Sequence, residues 1–136
     1  MTTPASTAAA ALAASLLIGG THAAQADDTV HYRHEQVGDV KVFYREAGNP
    51  SAPTVLLLHG FGASVFSWSR VMRPLARIAG AKVLAFDRPA FGLTSRASWS
   101  GDDSKPLNPY SMAFSVMATL AFIDYLGAEK AVLVGY

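Results

Sequence analysis

The residues that could do chemistry in this chain fall in three short stretches. The first is Leu56-Leu57-Leu58-His59-Gly60-Phe61-Gly62, an apolar run that passes directly into a glycine-containing turn. A buried strand ending in such a turn lets backbone N–H groups face an open site at the carboxyl end of a sheet. Those donors can stabilise an oxyanion in acyl transfer. The same stretch could also be no more than a structural strand-to-helix connection. A dinucleotide fingerprint would need a third glycine at position 65, where Val65 stands. The second stretch is Phe86-Asp87-Arg88-Pro89-Ala90-Phe91-Gly92-Leu93-Thr94-Ser95, in which Asp87 and Arg88 invite a catalytic reading. The third is Ala131-Val132-Leu133-Val134-Gly135-Tyr136, again an apolar run ending in glycine.

The remaining reactive side chains carry less. His31 and His34 stand three residues apart on an expected strand, which puts them on opposite faces and argues against a shared metal. His22 lies in a different kind of segment, described below. Ser64, Ser67 and Ser95 sit in no motif that would make a hydroxyl nucleophilic. Trp68 and Phe91 are candidates for a substrate pocket, with core packing an equal alternative. Cysteine is absent, so these residues contain no disulfide, thiolate metal site or cysteine nucleophile.

Elements must hold the three stretches together. Val30 to Val37 and Val40 to Ala47 read as strands joined by the turn Gly38-Asp39, a β-hairpin. In the second strand Val40, Val42 and Tyr44 point one way, and Lys41, Phe43 and Arg45 the other. Thr54 to Leu58, Val83 to Phe86 and Ala131 to Val134 are continuous apolar runs, as strands buried on both faces require. A helix is expected from about Ser67 to Ala79, with Val71, Leu75 and Ile78 on its buried stripe, a kink or break at Pro74, and Gly80 as its cap. Asp87 to Pro106 reads as a long loop. A second helix is expected to start with Asn108 as N-cap and Pro109 as first residue, to bury Val116, Leu120 and Ile123 with Ala113 and Met117, and to end at Gly127. The order β-β-β-α-β-α-β predicts an α/β fold, a mostly parallel sheet carrying an antiparallel hairpin at one edge.

With the elements in this order, the three stretches together resemble the α/β-hydrolase family, over about residues 30 to 136 and most closely from Leu56 onward. The segments HGFGAS, FDRPAFGLTSR and KPLNPYSM are similar to a plant-type branch of it. In that family an HG-x turn after the third strand forms half of the oxyanion hole, which by resemblance makes the backbone N–H of Phe61 the donor. His59, Gly60 and Gly62 then support the loop rather than act on substrate. Asp87 and Arg88 fall in a segment similar to the family's D-x-P-G-x-G-x-S, which braces the turn through hydrogen bonds and an ion pair. Ala90 departs from that pattern, standing where glycine is usual. Gly135-Tyr136 fits the approach to the G-x-S-x-G nucleophile elbow. The nucleophile is expected immediately after Tyr136, so no catalytic residue is expected within this sequence, and a partial α/β-hydrolase fold stopping there is expected to be inactive.

The resemblance implies a hydrolase of esters or related small apolar molecules, working through Ser, His and Asp or Glu without cofactor or metal. An aspartate nucleophile acting on epoxides or haloalkanes is the alternative, as is a non-catalytic binding form. The Ala131 to Val134 run, normally an inner strand, is expected to show an unpaired apolar edge that invites association.

Composition supports a globular core: 51% of residues are hydrophobic and the formal net charge is +1. Basic residues form no run, so neither nucleic acid nor an acidic membrane surface is an expected partner. Residues 1–26 contain no Lys, Arg, Asp or Glu. Their apolar run Ala8 to Ile18, followed by Ala24-Gln25-Ala26, resembles a signal peptide ahead of a domain spanning 27–136. Secretion or export to a periplasm is therefore expected, with plastid or other organellar targeting as the alternative. The run is too short to cross a hydrocarbon core of ~30 Å.

Overall fold

The computed structural model describes residues 29–96 and 108–136. The expected targeting segment, residues 1–26, and part of the long loop expected after Asp87 lie outside them. Strands β1 (His31–Val37) and β2 (Val40–Ala47) form the hairpin, with Gly38 in the left-handed region at φ 58°. Strand β3 (Thr54–Leu58) is followed by a 3-10 turn (Val65–Trp68), helix α1 (Met72–Ala79) and strand β4 (Lys82–Phe86). Helix α2 (Met112–Tyr125) and strand β5 (Ala131–Gly135) complete the order.

The five strands form one sheet in the order β1-β2-β4-β3-β5. β4, β3 and β5 are parallel, and the hairpin joins antiparallel through β2 against β4. Alternation along each strand sends residues to two separate cores. Phe43, Val55, Leu57, Val83 and Ala85 pack under α1 with Val65, Met72 and Ala76. Val42, Tyr44, Leu56, Leu84 and Phe86 pack under α2 around Phe122. Two covered faces explain why β3 and β4 need uninterrupted apolar residues.

Both helices turn a different face to the sheet from the one expected. The stretch before Met72 is the short 3-10 turn capped by Ser64, so Pro74 falls in the first turn of α1, where its missing N–H breaks no bond. α1 buries Met72 and Ala76, with Leu75 and Ala79 beside them, while Val71 and Ile78 are exposed. The small alanines let the helix lie close. A Cβ added at Gly48 would stand 3.0 Å from Ala76 Cβ.

α2 begins later than expected. Ser111 is its N-cap, accepting from Phe114 N at 3.1 Å, whereas Asn108 accepts from Tyr110 N and closes the preceding turn. Its buried residues are Ser115, Thr119 and Phe122, with Ile123 partly buried; Ala113, Val116, Met117 and Leu120 are exposed. The helix is apolar nearly all round, so periodicity alone cannot choose a face. Phe122 decides it, with ring centroids 4.7 Å from Phe86 and 5.3 Å from Tyr44. Thr119 donates its hydroxyl to Ser115 O at 2.8 Å, which makes its burial tolerable. Gly127, at φ 63°, ends the helix as expected. Among the described residues no helix is long and apolar enough to cross a membrane.

Candidate active site

Parallel strands β3, β4 and β5 deliver His59 to Gly62, Asp87-Arg88 and Tyr136 to the same end of the sheet. This is the carboxyl end, where open α/β sheets bind ligands. A cavity of about 180 Å³ opens there, lined by His59, Gly60, Phe61, Arg88, Phe91, Tyr110, Met112, Ser115 and Tyr136. A second, of about 320 Å³, adjoins it and runs between α2 and β5 along Leu58, Val116, Leu120 and Leu133.

Asp87 organises the floor. Its carboxylate is fully buried and accepts from Val65 N at 2.7 Å and Leu93 N at 2.9 Å. One side chain thus ties the turn after the glycine loop to the turn after β4. Gly92 is required at φ 53°, because a Cβ there would collide with the Asp87 carboxylate. Thr94 fixes the same loop to the hairpin: its hydroxyl donates to Asp87 O and accepts from Phe43 N. Ala90 holds φ 72°, a conformation that costs a residue with a Cβ roughly 1 kcal/mol, and this is the position where the resembling pattern has glycine.

His59 is buried between the two loops. A backbone N–H can only donate, so the 3.1 Å bond from Arg88 N makes Nε2 an acceptor. Nδ1 then carries the proton and donates to Gly60 O at 2.9 Å. Burial pushes the imidazole below the usual histidine value and the Arg88 charge adds to this, against the opposing pull of the Gly60 carbonyl and Asp87. With Nε2 accepting from Arg88 N and Nδ1 donating to Gly60 O, the His59 ring ties the glycine turn to the loop after β4. Its Nε2 lies 4.0 Å from Asp87 Oδ1, but a neutral ring makes that approach no ion pair. Among the described residues the expected ion pair of this segment is not formed. Asp87 is satisfied by backbone N–H groups, and the Arg88 guanidinium stacks 5.0 Å from the Phe91 ring centroid.

Phe61 exposes 91% of its surface, its ring edge-on to Phe91 at 5.7 Å. No described residue accepts a hydrogen bond from its backbone N–H. Gly60 lets the Tyr136 ring approach; a Cβ there would meet it at 3.0 Å. The two pocket candidates separate. Phe91 lines the smaller cavity. Trp68 packs against the α1-side core and edge-on to Tyr136 at 5.4 Å, which is the packing alternative. Tyr110, Met112 and Ser115 were not singled out by the sequence. The signal that could have found Ser115 is a small polar residue on a helix face that the sheet buries. His31 and His34 belong to no cluster of metal-ligating residues among the described ones.

Comparisons with known proteins bear on the family and the fold. The alpha/beta hydrolase fold family matches over residues 53–136. Epoxide hydrolase A of Mycobacterium tuberculosis is 36% identical over 91 residues, covering 67% of this chain and 26% of that protein. Bifunctional epoxide hydrolase 2 of Mus musculus is 33% identical over 99 residues, 71% of this chain and 16% of the mouse protein. The chain therefore spans about a quarter or less of these relatives. Among solved structures, an epoxide hydrolase from Vigna radiata superposes with TM-score 0.68 at 26% identity over 81% of this chain and 33% of its own. A haloalkane dehalogenase loop variant from Bradyrhizobium elkanii does so with TM-score 0.66 at 29% identity, over 79% and 32%. The chain belongs to the α/β-hydrolase family.

Proposed function

We propose that these residues form the oxyanion-binding half of a hydrolase site that acts on esters or related small apolar molecules. The observation that carries this is the Phe61 amide, which donates to no described residue. It sits on a glycine-flanked turn at the carboxyl end of β3, beside a cavity, and is braced by the buried His59–Arg88–Asp87 loop contacts. A nucleophile placed just after Tyr136, at the end of adjacent strand β5, would attack a carbonyl whose oxygen rests on that amide. Loss of one such donor costs roughly a hundredfold or more in turnover. The expected nucleophile is serine, activated by a histidine and a carboxylate elsewhere in the whole protein. Labelling of the full-length protein by a fluorophosphonate tests this, and no labelling of a protein that turns over substrate would overturn the serine assignment.

The epoxide hydrolase relatives favour a second reading, an aspartate nucleophile opening an epoxide or haloalkane. Transfer of a heavy-oxygen label from water into the protein's own carboxylate during turnover would select it.

The proposal extends to two properties of the chain. The exposed edge of strand β5 associates with a second molecule, which dilution-dependent sedimentation tests. Residues 1–26 direct export and are removed, which N-terminal sequencing of expressed protein tests.

A further inference from the structure

Arg88 is an unusual member of the smaller cavity. Its neighbours there include the carbon-rich Phe61, Phe91, Tyr110 and Met112 beside the polar groups of His59 and Ser115. Among the described residues its buried Nε has no hydrogen-bond partner and no carboxylate lies within ion-pairing distance of it. The acidic side chain next to it in sequence is unavailable as a partner, because Asp87 is held by Val65 N and Leu93 N. The guanidinium carbon lies 5.0 Å from the Phe91 ring centroid, a cation–π contact that restrains the side chain and lowers the entropy lost when it binds a ligand. A cation beside an aromatic ring, with no carboxylate partner among the described residues, in a largely aromatic cavity, is arranged to receive a planar anion, and the fork of guanidinium N–H groups matches a carboxylate.

We propose that Arg88 is a specificity-determining residue, selecting ligands whose apolar body ends in a carboxylate. The word substrate rests on the hydrolase reading above, but the binding preference does not. In this arrangement the apolar part of the ligand lies along Phe61, Phe91 and Met112, and the carboxylate accepts from Arg88. The cation also reinforces the neutral state of His59, so the two groups do not compete for the anion.

The test is calorimetric titration of the full chain, near neutral pH, with hexanoate and with hexanol as probes of equal chain length. A charge-assisted hydrogen bond predicts that hexanoate binds about tenfold or more tightly than hexanol. Arg88→Met should abolish the preference and keep the hexanol affinity, and Arg88→Lys should keep part of the preference. Equal affinities in the unmodified chain would overturn the proposal, as would a preference that survives Arg88→Met. If Arg88→Met does not fold, the ratio in the unmodified chain and in Arg88→Lys decides alone. A preference that appears only after Asp102→Asn and Asp103→Asn would assign Arg88 an internal partner and also overturn it. Failure of fluorophosphonate labelling with the preference intact would remove only the serine-hydrolase reading.

Discussion

The two sides of this sheet are built from the same kinds of residue and end in opposite states. On the hairpin side, β2 and β4 are covered on both faces, and Val42, Phe43, Leu84 and Phe86 are all buried. On the other side, Val132, Leu133 and Val134 of β5 are 40%, 52% and 38% exposed, and Val116 and Leu120 of α2 stand open beside them. Register places Leu133 opposite Leu56, one strand over, yet Leu56 is fully buried. Apolar character therefore states only that a residue should be covered. What covers it is set by the neighbour, and among the described residues the neighbours lie on one side. The candidate site sits on the boundary: the closed side supplies its brace, and the open side supplies Gly135, Tyr136 and the wall of the larger cavity.

The sharpest test of this contrast uses two residues of one helix. Phe122→Ala removes the ring that joins α2 to Phe86 and Tyr44 and should cost about 4 kcal/mol. Leu120→Ala, on the exposed face, should cost about 0.5 kcal/mol or less. Denaturant midpoints at equal slope would show it, and similar losses for the two variants would mean that both faces are covered. Next in size is Asp87→Asn. The amide must turn a donor toward either Val65 N or Leu93 N, so one charge-assisted bond is lost and a buried donor is set against another; about 3 kcal/mol is expected. Unchanged stability would show that the brace is not part of the closed side.

A smaller loss should accompany acid. The folded-state value of His59 lies below the ordinary 6.5. Below 6.5 the unfolded chain takes up a proton that the folded chain resists, so stability is full above that pH and falls as pH drops toward the folded value. His59→Gln should flatten this part of the profile, because its amide can both donate to Gly60 O and accept from Arg88 N. A profile unchanged by that substitution would mean another group titrates. Ala90→Gly should then stabilise the chain by about 1 kcal/mol, since it relieves the positive φ at Ala90. A loss instead would show that the Ala90 methyl packs usefully.

Strand boundaries, the hairpin, the parallel core and the three stretches at one end of the sheet were legible because each has a local cause: alternation, a turn glycine, or an apolar run into a glycine. The buried faces of α1 and α2 were not. Met72 against Val71, and Phe122 against Leu120, differ in no local property that periodicity reads. The choice is made by which sheet residues lie beneath, and by alanine and serine allowing close approach. Within the site, His59, Asp87 and Phe61 were legible from their motifs, whereas Ser115, Tyr110 and Met112 reach the cavity through a helix start set by Ser111 rather than Asn108. The missing ion pair has a similar origin. Sequence places Asp87 and Arg88 side by side, but adjacent side chains on an extended segment diverge, one to the buried amides and the other to Phe91.

The last prediction puts the open side itself at risk. Leu133→Ser removes an apolar side chain that is half exposed and flanked by the open faces of Val116 and Leu120. If water meets that face in the folded chain, the cost should be about 0.5 kcal/mol or less, and the protein should become more soluble. If the cost reaches the ~2–5 kcal/mol of a core truncation, another segment or a second molecule covers β5 in solution. The dependence of that cost on protein concentration separates the two, because only a second molecule is diluted away.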